Sequence, residues 1–252
     1  VLYFKKCFKY LKWVSFGVAK DVIDGKDKIT ITGINGLAIK SHEAIVVKID
    51  KANDLAILKV GIPLGEIPYG FKRLKEDVAS TVYAYGYPLP ELQGDELKIT
   101  EGIINSNSGF KGNPVEYQHT ASIQSGNSGG PLVNKDGNIV GINNAGINNA
   151  LVRRTYGTET NNVNYAIKSR YLLSLMEDLD LEIETNNDIS QLELSQQYKE
   201  IKPFVYFIIS STIRSRSPSL EVLKPYPKPS IKPYPKPSIP KPSIPKPKAG
   251  YL

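Results

Sequence analysis

The sequence predicts an all-β fold closed by one helix, and three observations predict it. Across residues 28–106, short β-branched runs (KITITG, LAIKSHEAIVVKID, LAILKV, STVYAYGYP, LKITEGIINS) alternate with turn residues, the spacing of barrels and sandwiches. The runs resume at 121–123, 131–134 and 138–143, with Lys135-Asp136-Gly137 as a hairpin turn of Asp-Gly type, so a second β unit follows the first. A single apolar stripe of Leu172, Leu173, Leu175, Met176 and Leu179 then starts near Ser169, whose hydroxyl suits a helix N-cap.

Composition narrows the function classes. The 252 residues, 40% hydrophobic and 23% charged, suffice for one large or two small cores and exclude a fibrous or wholly disordered chain. The net charge of +7 arises beyond Glu221, where seven lysines and no acid occur. The remainder is balanced, so no nucleic-acid partner is expected. One cysteine, Cys7, excludes an internal disulfide framework, and with His42 and His119 alone beside it neither a metal nor any other cofactor is expected. Residues 1–16 interleave apolar residues with Lys5, Lys6, Lys9 and Lys12, unlike a signal peptide or a membrane span, and no span is visible elsewhere. No compartment follows from this. The irregular start without Met leads to the expectation of an altered or partial N-terminus.

Beyond Leu181 the chain turns polar, with a brief apolar patch at 204–209 too short to span a bilayer. The octad KPYPKPSI at 224–231 recurs at 232–239, and KPSIP follows at 241–245. Proline at this density removes donors and fixes φ, so an extended polyproline-like spacer is expected. Tyr226 and Tyr234 leave open a ligand for a polyproline-recognition module.

The chemistry concentrates in Ser125-Gly126-Asn127-Ser128-Gly129-Gly130-Pro131, between a β run and the LVNKDGNIVGI hairpin. A nucleophilic serine needs its hydroxyl presented at a tight turn, and flanking glycines let the backbone approach the substrate carbonyl. Amides at Gly126 and Ser128 could converge on a developing oxyanion.

With QHTASIQSGNSGGPLVNKDGNIVGIN at 118–143 and KANDLAILKV at 51–60, supported by VYAYGYP, TEGII and NYAIKS, the sequence resembles the chymotrypsin-fold serine proteases of the bacterial HtrA/Deg type. The resemblance runs from about residue 18 to 179 and implies two β-barrels with the active site in the crevice between them. It implies Ser128 as nucleophile, Asp54 as the aspartate that orients a histidine, and Gly126, Asn127 and Ser128 as the oxyanion-hole turn. The specificity pocket falls at Ser122, Asn164, Tyr165 and Ala166, with a small or medium apolar side chain as the preferred residue because Ser122 stands where an aspartate would select Arg or Lys.

The family's general base belongs to a motif of the TNxHV kind before the aspartate. Set over residues 15–18, that motif puts Gly17 in the histidine position, so no base is identified. His42 reads as a strand residue of the first barrel, and His119 as packing beside the substrate pocket. Asp54 has an alternative reading, half of an Asn53-Asp54 turn.

The expected organisation is an atypical segment at 1–17, a remnant of a first barrel at 18–75, a second barrel with closing helix at 76–181, a polar linker at 182–223 and the repeat tail at 224–252. A PDZ module after the protease domain is not expected. The implied function is a serine endopeptidase acting on peptides or unfolded proteins, impaired by loss of its base. The alternatives are a peptide-binding pseudoprotease and a degraded product that does not fold.

Overall fold

A computed structural model describes residues 2–4, 14–19, 23, 26, 28–35, 38–61, 67–146, 154, 162–181 and 187–211. The first β unit is a six-stranded antiparallel sheet. Its strands are β1 (Leu2–Phe4), β2 (Val14–Ala19), β3 (Lys28–Asn35), β4 (Ala38–Asp50), β5 (Leu55–Val60) and, from the far end of the chain, β12 (Phe207–Ser211), in the order β1-β2-β5-β4-β3-β12. Strand β5 lies between β2 and β4, and Leu55, Ala56, Ile57 and Leu58 are completely buried there. On β4 exposure alternates about buried Ala44, with Ile45 66% exposed on the other face, the period of two of a half-buried strand. The β2–β5 ladder slips between Phe16 and Val18, so Gly17 occupies an irregularity inside the strand.

The second unit is a closed barrel of β6 (Thr81–Gly86), β7 (Lys98–Ser106), β8 (Glu116–His119), β9 (Pro131–Asn134), β10 (Ile139–Gly146) and β11 (Asn164–Lys168), ordered β10-β11-β8-β7-β6-β9. Its interior holds Val82, Ala84, Ile104, Tyr117, Ala121, Leu132, Val140 and Ala166. A short helix α1 (Pro90–Gln93) follows β6. The double β architecture with one incomplete member is therefore present, the first unit being an open sheet and the second a closed barrel.

Helix α2 (Ser169–Glu177) closes the barrel, with Leu172, Leu173, Leu175 and Met176 buried as the stripe requires. Its N-cap position is Lys168, without a side-chain cap. The Ser169 hydroxyl donates instead to the carbonyl of Lys72, tying the helix start to the segment between the two β units.

The stretch read from composition as a polar linker is folded between 187 and 211. Helix α3 (Leu194–Ile201), a 3-10 turn (Lys202–Phe204) and β12 follow one another, and β12 pairs with β3 from Phe207↔Thr32 to Ser211↔Lys28. Ile189, Ile201, Val205 and Tyr206 are buried in the same core as β5 and α2. Each of these burials contributes about 2 kcal/mol toward holding the segment against the core. The four residues follow no helical or strand period, so the sequence pattern conceals them. The lysine–proline repeats lie outside the described residues, in a unit (215–252) separate from residues 1–214. Among the described residues no helix is long and apolar enough to cross a membrane, and no cluster of three or more His, Cys, Asp or Glu forms a metal site.

Candidate active site

The Ser128 turn joins the 120–124 segment to β9. Gly126 has φ +102°, and a Cβ there would stand 2.1 Å from the carbonyl oxygen of Tyr87. Both conformation and space therefore demand glycine. Gly130 is needed for space alone, since a Cβ would lie 2.2 Å from the carbonyl oxygen of Tyr85. The turn is stitched to its surroundings by Asn127 N–H to Gln124 O at 3.0 Å, Gly130 N–H to Asn127 O at 3.0 Å, Gly129 N–H to Asn143 O at 2.7 Å and Asn143 N–H to Gly130 O at 2.8 Å. From the other side, Tyr87 N–H donates to Gly126 O at 3.3 Å and Leu89 N–H to Ser125 O at 2.9 Å.

None of these bonds uses the amides of Gly126 or Ser128, the two donors an oxyanion would need. Asn127 is different. Its amide is committed to Gln124, and its buried side chain packs against Gly86, where a Cβ would fall 2.3 Å from Asn127 Oδ1. Asn127 shapes the turn rather than donating from it. The Ser128 hydroxyl donates to the backbone carbonyl of Asn144, a residue that sequence reasoning did not single out. Asn144 follows Asn143 at the turn's anchor on β10, a juxtaposition created by barrel closure.

Asp54 stands at the last position of the β4–β5 turn, with φ +53° and partial burial. The turn itself is built on Asp50, whose carboxylate accepts from Ala52 N–H at 3.0 Å, Asn53 N–H at 3.1 Å and Asn53 Nδ2 at 2.6 Å. Asp54 is thus delivered next to Leu55, the first residue of β5. Leu55 pairs with Ala19, the last residue of β2. A base oriented by Asp54 accordingly has to come from the chain just past Ala19, whereas Gly17 sits earlier in β2, at the slip beside Ile57 and Ala56. Three residues, Lys20, Asp21 and Val22, separate Ala19 from Ile23, which is buried in the core. Residues 18–22 read VAKDV in the sequence, so a motif of the TNxHV kind set over them would put Asp21, rather than Gly17, in the histidine position.

Strand pairing sets neither histidine beside Asp54. His42 pairs with Ile31 in β4, eight residues before Asp50, which is roughly 25 Å of strand away from the Asp54 end. His119 pairs with Asn164 and Ile104 and is fully buried. Neither of its ring nitrogens makes a hydrogen bond of normal geometry among the described residues. Burial pushes its imidazole down to about 4, while weaker backbone contacts at Tyr165 and Ala121 act the other way. His119 shares the inward face of β8 with Tyr117, so it belongs to the barrel interior.

Of the pocket residues, Ser122 is exposed and its carbonyl accepts from Thr100 Oγ1 at 2.9 Å. Asn164, Tyr165 and Ala166 are buried on β11, Asn164 opposite His119 and Ala166 opposite Asn143. Ala166 is part of the barrel core, and Tyr165 meets Phe110 edge-on at 6.3 Å.

A profile of the trypsin-like peptidase domain matches residues 19–142. The serine protease Do-like HtrA of Lactobacillus helveticus is 32% identical over 166 residues, covering 63% of this chain and 38% of that protein. The serine endoprotease DegS of Salmonella typhimurium is 37% identical over 132 residues, covering 49% of this chain and 34% of that protein. Among solved structures, the HtrA-type protease AlgW with decapeptide superposes with a TM-score of 0.52 at 26% identity, covering 66% of this chain and 48% of that one. The chain thus spans little more than a third of the length of these two curated relatives. With the open sheet, the closed barrel and the GNSGGP turn in family order, residues 19–142 match the trypsin-like peptidase domain, and the chain is similar to serine proteases of the HtrA/Deg type.

Proposed function

We propose that the chain is a serine endopeptidase domain that receives peptide or unfolded-protein segments at Ser128, and whose hydrolysis is slow for want of a base. The observation that carries the reading is the Ser128 turn, in which glycine geometry frees the amides of Gly126 and Ser128 from the turn's own hydrogen bonds. In the reaction the Ser128 oxygen attacks a peptide carbonyl and the two amides receive the oxyanion. The C–N bond then breaks as the proton lost by the Ser128 hydroxyl passes to the leaving amine, and water attacks the ester, releasing the acid and returning a proton to Ser128. Asp54 would orient and charge-stabilise an imidazole, but positions 20–22 supply none. Ser122 and the main chain of Asn164, Tyr165 and Ala166 would line the pocket for a small or medium apolar side chain. Loss of the serine or the histidine of a triad costs on the order of 10⁶ in turnover in an enzyme of the same mechanism.

A second reading, a peptide-binding pseudoprotease, is favoured by the Ser128 hydrogen bond to Asn144, which commits the nucleophile's proton to the backbone. Unfolded casein separates the two. Slow cleavage abolished by Ser128→Ala supports the enzyme, and saturable binding with no Ser128-dependent cleavage supports the binding module.

A further inference from the structure

Residues 187–211 grip β9 at both of its ends. Beyond its far end, the Asn187 side chain donates Nδ2 to the Asp136 carbonyl at 2.6 Å and Gln197 donates Nε2 to the Lys135 carbonyl at 3.0 Å. Ile189 lies against Gly137, where a Cβ would fall 2.8 Å from its Cγ1. Near the end where β9 leaves the Ser128 turn, the grip passes through β6 and the residue after it. Tyr85 stacks on Tyr198 with centroids 6.2 Å apart, and Tyr198 donates its hydroxyl to the Leu97 carbonyl at 2.7 Å. Tyr87 sets its ring edge against Phe207 at 6.0 Å and donates its buried hydroxyl to the Val205 carbonyl at 3.0 Å.

Tyr87 is common to both attachments. Its side chain is bound to the 187–211 segment, while its backbone amide donates to Gly126 O and its carbonyl fills the space beside Gly126. Leu89, two residues on, continues the contact to Ser125. A buried tyrosine hydroxyl without a partner is costly, so the bond to Val205 restrains the residue whose main chain shapes the turn.

We propose that residues 187–211 form a strap that orders the oxyanion turn, with Tyr87 as the positioning residue between them. The consequence for catalysis rests on Ser128 being the reacting group, as argued above. Hydrogen exchange on the full chain tests the strap independently of any activity. Tyr87→Phe keeps the ring against Phe207 and deletes one hydroxyl. The expected result is roughly fivefold faster exchange at the amides of Tyr87, Leu89 and Asn127, with the β7–β8 amides unchanged and the melting temperature lowered by only the few degrees that one hydrogen bond supports. Phe207→Ala, which leaves Tyr87 intact, should loosen the same three amides. Parental protection of these amides in both variants overturns the proposal, as does equal acceleration throughout the barrel.

A parallel arm follows phosphonylation by a fluorophosphonate, in which the Ser128 oxygen bonds to phosphorus, fluoride leaves and the serine proton passes to water. The labelling rate should fall by a similar factor in Tyr87→Phe, and an unchanged rate refutes control of Ser128 by the strap. A parent that labels no faster than Ser128→Ala refutes the role of Ser128 itself, and the exchange arm still decides the strap.

Discussion

The hydroxyl of Ser128 donates to the backbone carbonyl of Asn144, so the side chain at the centre of the glycine turn is held by β10 and not by an imidazole. Attack on a carbonyl requires that bond to be surrendered and the proton to find another acceptor. If Asp54 orients that acceptor, as proposed, the ladder that ends at Ala19↔Leu55 sets it near the end of β2.

The first prediction follows from that ladder. Asp21→His should raise casein cleavage at least a hundredfold over the parent chain, within the range general-base catalysis contributes. The gain should vanish in Asp21→His/Ser128→Ala. Gly17→His should give none, because Gly17 lies inside β2 away from Asp54. Equal rates for the two histidine variants would refute this register.

Glycine at 130 is required by contact with Tyr85. Gly130→Ala should destabilise the domain by about 2–4 kcal/mol in urea unfolding, because the new methyl meets a backbone oxygen that cannot move without shifting β6. A loss below about 0.5 kcal/mol would contradict this account of the turn.

His119 makes stability depend on pH. Its folded value of about 4 lies below the unfolded value near 6.5, so the unfolded state binds the proton more readily. The contribution of the neutral imidazole is complete above pH 6.5 and is lost as pH falls toward 4, by on the order of 3 kcal/mol. The stability difference between the parent and His119→Phe should therefore change between pH 7.5 and 4.5 in the parent's disfavour. Parallel pH profiles for the two proteins would count against burial of the ring.

Ala79 holds φ +73° without being glycine. Ala79→Gly should relieve a left-handed backbone and stabilise the fold by about 0.5–1 kcal/mol, net of glycine's greater unfolded entropy. Calorimetry of the two chains measures it, and a lower melting temperature for the variant would argue against the strain.

Truncation after Arg214 retains every residue of the described core and should leave the melting temperature unchanged. Truncation before Asn187 removes Ile189, Ile201, Val205 and Tyr206 from that core and should unfold the protein or lower its melting temperature by more than 10 °C. Equal effects of the two truncations would show that α3 and β12 contribute no stability.

The sequence by itself determined the features whose physical cause is local. Gly126 and Gly130 around Ser128 announce a turn that only glycine can make, and Asp136-Gly137 announces the β9–β10 hairpin. The spacing of Leu172, Leu173, Leu175 and Met176 announces α2, because one helix face repeats at a fixed interval. Tertiary structure decided what depends on pairing between distant segments. It placed β12 on the edge of β3, brought four irregularly spaced residues of a polar stretch into the core shared with β5 and α2, and buried His119 inside the barrel. It also brought the end of β2, rather than Gly17, to Asp54. A strand's partner and register are set by the surfaces that become buried together across the whole fold, and no local period or turn residue encodes that choice.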